Sequence, residues 1–272
     1  MLKLSLKIIV FYIFLHIFTK VYALDFTGKF VQGHFIIGKT NKESKVWIDK
    51  KSVRVTPEGY FAFGIGRDRK YDLVITLEQN GEKKKIVKKI QKRKYQIQRI
   101  DGLPEKKVTP PKEVYERIKR ENKIISDARS INSNLNFFKN KFIKPLDNAI
   151  VTGVYGSQRI LNGKPRWPHY GIDFAAKEGT KIKAMLDGTA TMVETDLFYT
   201  GGTLIFDHGH GVSTLYMHMK KIYVKKGQKV KQGDIIGTVG STGRSTGAHL
   251  DVRLNWFGTR LDPATVLNIK DN

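Results

Sequence analysis

The sequence has no cysteine among its 272 residues. Thiolate-ligated zinc, a thiol nucleophile and a disulfide framework are therefore excluded. Acidic residues are scarce: 25 Asp and Glu face 49 Lys and Arg, a formal net charge of +24. Such an excess points to a polyanionic setting, whether nucleic acid, anionic lipid or an acidic wall polymer. A bilayer-spanning apolar run is missing too. The apolar stretch at residues 8–18 has 11 residues, against the ~20 needed to span.

What is present narrows these options. Hydrophobic residues make up 40% of the chain and aromatics 11%. That is enough to build real cores, so wholesale disorder is excluded. Lys3 and Lys7 form a basic start to the short apolar stretch, and Val21-Tyr22-Ala23 puts small or modest residues at a cleavage site. This pattern predicts a secretory signal peptide over residues 1–23 and a periplasmic or cell-envelope location. Cleavage removes three lysines and no acid, leaving a mature charge of +21. No nucleic acid partner is expected for an exported protein.

The rest divides into three parts. Residues 24–104 read as a β-rich N-terminal domain resembling a small antiparallel sandwich. Short alternating runs, Lys45-Val46-Trp47-Ile48-Asp49 and Tyr60-Phe61-Ala62-Phe63, are separated by turns at Pro57-Glu58-Gly59 and Asn80-Gly81. The basic stretch at residues 83–99 fits either a polyanion site or a solvated strand face. Residues 105–141 form a linker and a helix. Val114, Ile118, Ile125 and Ala128 recur near helical spacing. They predict one helix over residues 112–130, packed between the two β domains.

Residues 142–272 are richer in glycine and return to alternating strands. Five of the seven histidines lie between positions 169 and 249. Gly179-Thr180-Lys181-Ile182-Lys183 is echoed by Gly227-Gln228-Lys229-Val230-Lys231, each followed about ten residues later by Gly-Thr. A duplicated β-hairpin unit is the simplest reading. Overall the fold class is mainly β, with a helical linker between two β domains.

Three segments carry the chemistry. In Pro168-His169-Tyr170-Gly171-Ile172-Asp173, a His and an Asp four apart can converge on one cation, with Gly171 giving backbone freedom. In Ser213-Thr214-Leu215-Tyr216-Met217-His218-Met219, strand alternation puts His218 with Thr214 and Tyr216, away from Leu215, Met217 and Met219. In Gly247-Ala248-His249-Leu250-Asp251-Val252-Arg253-Leu254, the apolar face is Leu250, Val252 and Leu254. His249, Asp251 and Arg253 share the polar face, where an Asp251–Arg253 ion pair is one outcome. Together these segments offer two His/Asp pairs and a further His in one β-rich region. A catalytic zinc site needs such a set: three protein ligands, an open position for water, and a base to take its proton.

This ordered set resembles the lysostaphin/LytM-type zinc metallopeptidases, murein endopeptidases with a duplicated β fold. The resemblance covers residues 150–266. It includes Gly153-Val154-Tyr155-Gly156-Ser157-Gln158-Arg159, Asp207-His208-Gly209-His210-Gly211, Tyr216-Met217-His218, Ser245-Thr246-Gly247-Ala248-His249-Leu250-Asp251 and Asp262-Pro263. Gln98-Arg99-Ile100-Asp101-Gly102-Leu103-Pro104 is similar to a proteobacterial subgroup with an N-terminal β domain. The resemblance implies a lysostaphin-like antiparallel β domain, Zn2+ as cofactor and peptidoglycan as substrate. It implies His169 and Asp173 as metal ligands, His249 as general base and His218 as transition-state stabiliser. The family's third ligand is the second His of a His-x-His motif, and here that position holds Asp251. Either Asp251 ligates the metal, or it pairs with Arg253 and the site fails. Some relatives with damaged sites activate cell-wall amidases instead, so amidases or other envelope proteins are the alternative partners. His208 and His210 fit the loop pattern as structural residues.

Overall fold

The computed structural model describes residues 23–267 and 269. The expected signal peptide, except for Ala23, lies outside the described residues. Among the described residues no helix is long and apolar enough to cross a membrane.

The chain is mainly β with a central helix, as its patterning predicts. The N-terminal part holds two antiparallel sheets. One has three strands, Leu24–Thr27, Phe35–Thr40 and Tyr60–Gly64. The other has four, in the order Lys51–Val53, Lys45–Ile48, Leu73–Gln79, Glu82–Lys88. Alternation places Leu73, Ile75 and Leu77 inward, where they join Ile36, Val46 and Phe63 in one core. The basic strand Glu82–Lys88 is an edge strand whose first four residues are exposed. Edge lysines discourage sheet-to-sheet aggregation.

The C-terminal part is built on a ten-stranded sheet. Its central strands are Gly188–Leu197, Gly201–Asp207, Val212–Ile222, His249–Trp256 and Ile172–Ala175, each antiparallel to its neighbour. The repeat does not form two separate hairpins. Strand Lys181–Lys183 pairs with Ile235–Val239, and Lys229–Val230 pairs with Gly188–Leu197. The registers correspond: Ile182 lies opposite Gly237, and Val230 opposite Gly188. Each copy thus pairs with the strand that follows the other, and the two copies interlock about a pseudo-twofold.

Two placements differ from the sequence expectation. The helix Tyr115–Arg129 does not sit between the β domains. Its Ala128, with Ile124 and Ile125, packs on Met192, Ile205, Leu215 and Met217 of the C-terminal sheet. Strand Ile97–Ile100 leaves the N-terminal sheets and runs parallel to Gln158–Leu161. The two halves share one continuous core. Arg93 Nη1 reaches Asp262 Oδ2 at 2.6 Å, and the Asp262 amide donates to the Gly33 carbonyl at 2.8 Å. At Gly64 a Cβ would stand 2.5 Å from the Leu261 methyls, so glycine is what lets these halves close.

Candidate metal centre

Three strands and one loop build the site. In the pairing of Ile172–Ala175 with His249–Trp256, Asp173 lies opposite Asp251. Directly opposed residues project to the same face, so the two carboxylates converge. Leu250, Val252 and Leu254 take the opposite face and are fully buried, as the alternation predicts. His169 enters from the preceding loop, fixed by backbone hydrogen bonds from its amide to Ser157 O and from Gly156 to its carbonyl.

His169, Asp173 and Asp251 each offer a ligand atom, all within 4.8 Å of one another, and all three residues are buried. The group could hold a metal ion. His169 Nε2 lies 3.2 Å from Asp173 Oδ1. That matches the ~3.3 Å edge of a tetrahedron with zinc-to-ligand bonds of about 2.0–2.1 Å. Both ring nitrogens of His169, and Asp173 Oδ1, are buried without a hydrogen-bond partner. Buried polar atoms are costly unless satisfied, and a cation would satisfy these. The donor set is nitrogen and oxygen without sulfur, which zinc accepts. The residues fit such an ion.

Glycines make room for the carboxylates. A Cβ at Gly171 would collide with the Asp251 carboxylate and the Val252 carbonyl, and one at Gly153 with the Asp173 carboxylate. Gly171 does not occupy the left-handed region. Space for Asp251, and not backbone freedom, is why this position carries glycine.

Arginines clamp both acids from behind. Arg159 Nη2 donates to Asp173 Oδ2 at 2.7 Å. Arg253 grips Asp251 with two bonds, 3.2 and 3.0 Å. Burial alone would raise the pKa of each acid. For Asp173, the neighbouring His169, Arg159 and His249 together outweigh it; for Asp251, Arg253 and His169 do. Both stay below the ordinary carboxylate range. The Asp251–Arg253 pair weighed from the sequence is therefore present, on the same residue that faces the candidate site.

His218 and His249 stand beside the acids, their ring centroids 4.7 Å apart. Strand alternation places His218 on the Tyr216 face, and the structure moves it. His218 has φ +61°, and the pairing slips by a residue between Gly202 and Leu204 opposite this stretch. The resulting bulge turns His218 to the Asp251 side and sends Met219 into the core beside Tyr216. Bulges of this kind commonly re-aim a side chain next to a site.

His218 Nδ1 lies 2.7 Å from the Thr242 carbonyl, and His249 Nδ1 lies 2.9 Å from the Gly247 carbonyl. A carbonyl only accepts, so each Nδ1 carries a proton, and in the neutral ring Nε2 is the nitrogen left bare. Burial, assisted by His249, pushes the His218 pKa down to about 4. His249 Nε2 is 4.0 Å from Asp173 Oδ1. Thus all five residues singled out from the sequence meet at one place. Arg159 was visible only as the end of the Gly153–Arg159 stretch that carries the resemblance, without a role, and the Thr242 carbonyl gave no sequence signal at all. His208 and His210 lie elsewhere. His208 bonds the Asp187 carbonyl and Thr214 Oγ1, and His210 approaches the Arg54 carbonyl.

Comparison with known proteins agrees with this geometry. The model of peptidase family M23 matches residues 167–263. A Haemophilus influenzae protein named an uncharacterized metalloprotease is 40% identical over 99 residues, 36% of this chain and 21% of that protein. The Vibrio cholerae peptidoglycan DD-endopeptidase ShyA is 45% identical over 87 residues, 32% of this chain and 20% of that enzyme. The chain thus matches only about a fifth of the length of these two relatives. A Pseudomonas aeruginosa structure described as a candidate M23 peptidase superposes with TM-score 0.70 at 26% identity, covering 88% of this chain and 95% of that one. The three-residue metal group, both site histidines and Arg253 all fall in the matched stretch, and residues 167–263 form a peptidase family M23 domain.

Proposed function

We propose that this protein is a zinc-dependent endopeptidase that hydrolyses peptide cross-links of peptidoglycan in the cell envelope. The observation that carries the reading is the buried His169, Asp173 and Asp251 group facing two histidines with bare Nε2 atoms. The name of the Vibrio relative supports peptidoglycan as the substrate, and the mature charge of the expected secreted form suits an acidic wall polymer.

His169, Asp173 and Asp251 would hold the zinc, which supplies Lewis acidity toward the scissile carbonyl and the attacking water. Arg159 and Arg253 fix the two carboxylates in place. His249, the more exposed ring at 19% side-chain accessibility, accepts the water's proton at Nε2. His218 steadies the developing oxyanion. That second role requires a proton on His218 Nε2, because its Nδ1 hydrogen is committed to Thr242. The proton that His249 takes from the water is the one handed to the departing amine, and the proton His218 needs on Nε2 is drawn separately from solvent.

Digestion of purified sacculi, with zinc or with chelator, tests this. Loss of cross-linked dimers that the chelator blocks is the expected result; intact dimers with folded, zinc-loaded protein would overturn it. A second reading, a non-catalytic regulator of amidases, is favoured by the two-bond grip of Arg253 on Asp251. It predicts hydrolysis only in Asp251→His.

A further inference from the structure

Three arginines crowd together on the face of the sheet that bears the metal group. Asn255 lies two residues beyond Arg253 on its strand and is paired with Arg260, so Arg253 and Arg260 share that face. Arg129 ends the helix that packs on the same face through Ala128, and the charges of Arg260 and Arg253 both act on it. Only Arg253 has a carboxylate partner, Asp251. The Arg129 and Arg260 side chains make no hydrogen bond or ion pair among the described residues, and the Nε of each is buried without a partner. Arg260 rests over the Tyr170 ring at 4.8 Å. Burial and its two neighbours push Arg129 down to about 10, so it keeps its charge at neutral pH. Partly buried like charges are costly unless something anionic joins them.

Arg260 and Tyr170 also line a cleft of about 620 Å³ between the two halves of the molecule, a size that suits a peptide-like ligand. Lys50 and Lys51 line it as well. Its two acids are already engaged, Asp49 by Arg69 and Asp68 by Arg67. The cleft therefore presents a positive wall at Lys50, Lys51 and Arg260, and Tyr170, which follows His169 in the chain, lines it too.

We propose that Arg129 and Arg260, backed by Arg253, form an anion site that takes a carboxylate of a peptide whose chain continues into this cleft. The inference deepens the peptidase reading and rests on it only for the peptide nature of the ligand. Guanidinium groups bind carboxylates in a planar, two-bonded fashion that lysine cannot reproduce. The site would make this enzyme favour stem peptides with free carboxylates over amidated ones.

The test is calorimetric titration of the whole protein, in EDTA to prevent hydrolysis. The probes are a pentapeptide with two free carboxylates and the same pentapeptide with both amidated. Wild type should bind the free acid about tenfold more tightly. Arg129→Gln with Arg260→Gln should reduce the preference to within about twofold, and Arg129→Gln alone should lower it by about threefold. Equal affinity of wild type for the two peptides would overturn the proposal without recourse to any variant. An undiminished tenfold preference in either variant would overturn it too. Sacculus digestion separates the two claims. Preference without hydrolysis leaves the anion site standing and sinks the peptidase reading; hydrolysis without preference does the reverse.

Discussion

Replacing Arg253 by leucine tests how Asp251 participates in the site. Asp251 is fully buried and Arg253 is its two-bonded partner, with 22% side-chain exposure on the arginine and 2% on the acid. Removing one member of a buried pair costs ~3–5 kcal/mol because the other charge is left uncompensated. The partial exposure of Arg253 puts the expected loss at about 3 kcal/mol in metal-free protein. For a chain of this size that is a fall of roughly 6–12 °C in melting temperature. Zinc should reverse most of it. Asp251 freed from two charge-assisted bonds gains ~1.5–3 kcal/mol for the cation, roughly a 10- to 100-fold rise in zinc affinity. Thermal melts in EDTA and in a zinc series measure both effects. The reasoning is refuted if metal-free Arg253→Leu stays within ~1 kcal/mol of wild type, or if zinc binds it no more tightly.

Further tests address the remaining groups. His218→Ala and His249→Ala should each lower sacculus hydrolysis by ~10²–10⁴-fold while leaving the far-ultraviolet dichroism unchanged; full activity in either would remove that residue from the mechanism. Gly171→Ala drives a Cβ into the Asp251 carboxylate; it should cost ~1–3 kcal/mol of stability and weaken zinc binding, which calorimetry can follow. His208 is buried and neutral, with burial pushing its pKa to about 4 from 6.5. The unfolded chain therefore binds more protons between these values, and stability is complete above about pH 6.5 and declines as pH falls toward 4. The decline attributable to His208 is ~2–4 kcal/mol, and urea titrations of His208→Gln should show a flatter profile across that window.

Much of the site was legible in order along the chain. His169 with Asp173, and His249 with Asp251 and Arg253, are short-range patterns whose strand alternation survives folding. The polar and apolar faces of His249–Trp256 follow directly from period-two patterning. His218 illustrates the limit. Alternation is local bookkeeping, and one left-handed residue reverses it; the bulge is set by the pairing with the preceding strand, Gly201–Asp207, which the pattern within one strand does not record. The helix misplacement has a similar cause. Its apolar stripe says that it must bury a face, but not against which partner.

The sequence by itself determined the chemistry on offer: no thiols, a basic chain, an ordered His/Asp set and a strand-rich fold with an internal repeat. Those properties reside in residue identity and local spacing. The tertiary structure alone decided which groups became partners. It opposed Asp173 to Asp251, bound each to an arginine, interlocked the two repeat copies, and assembled Arg129, Arg253 and Arg260 from a helix and two strands. Long-range pairing registers and burial set those distances, and neither is written in any single stretch of the chain.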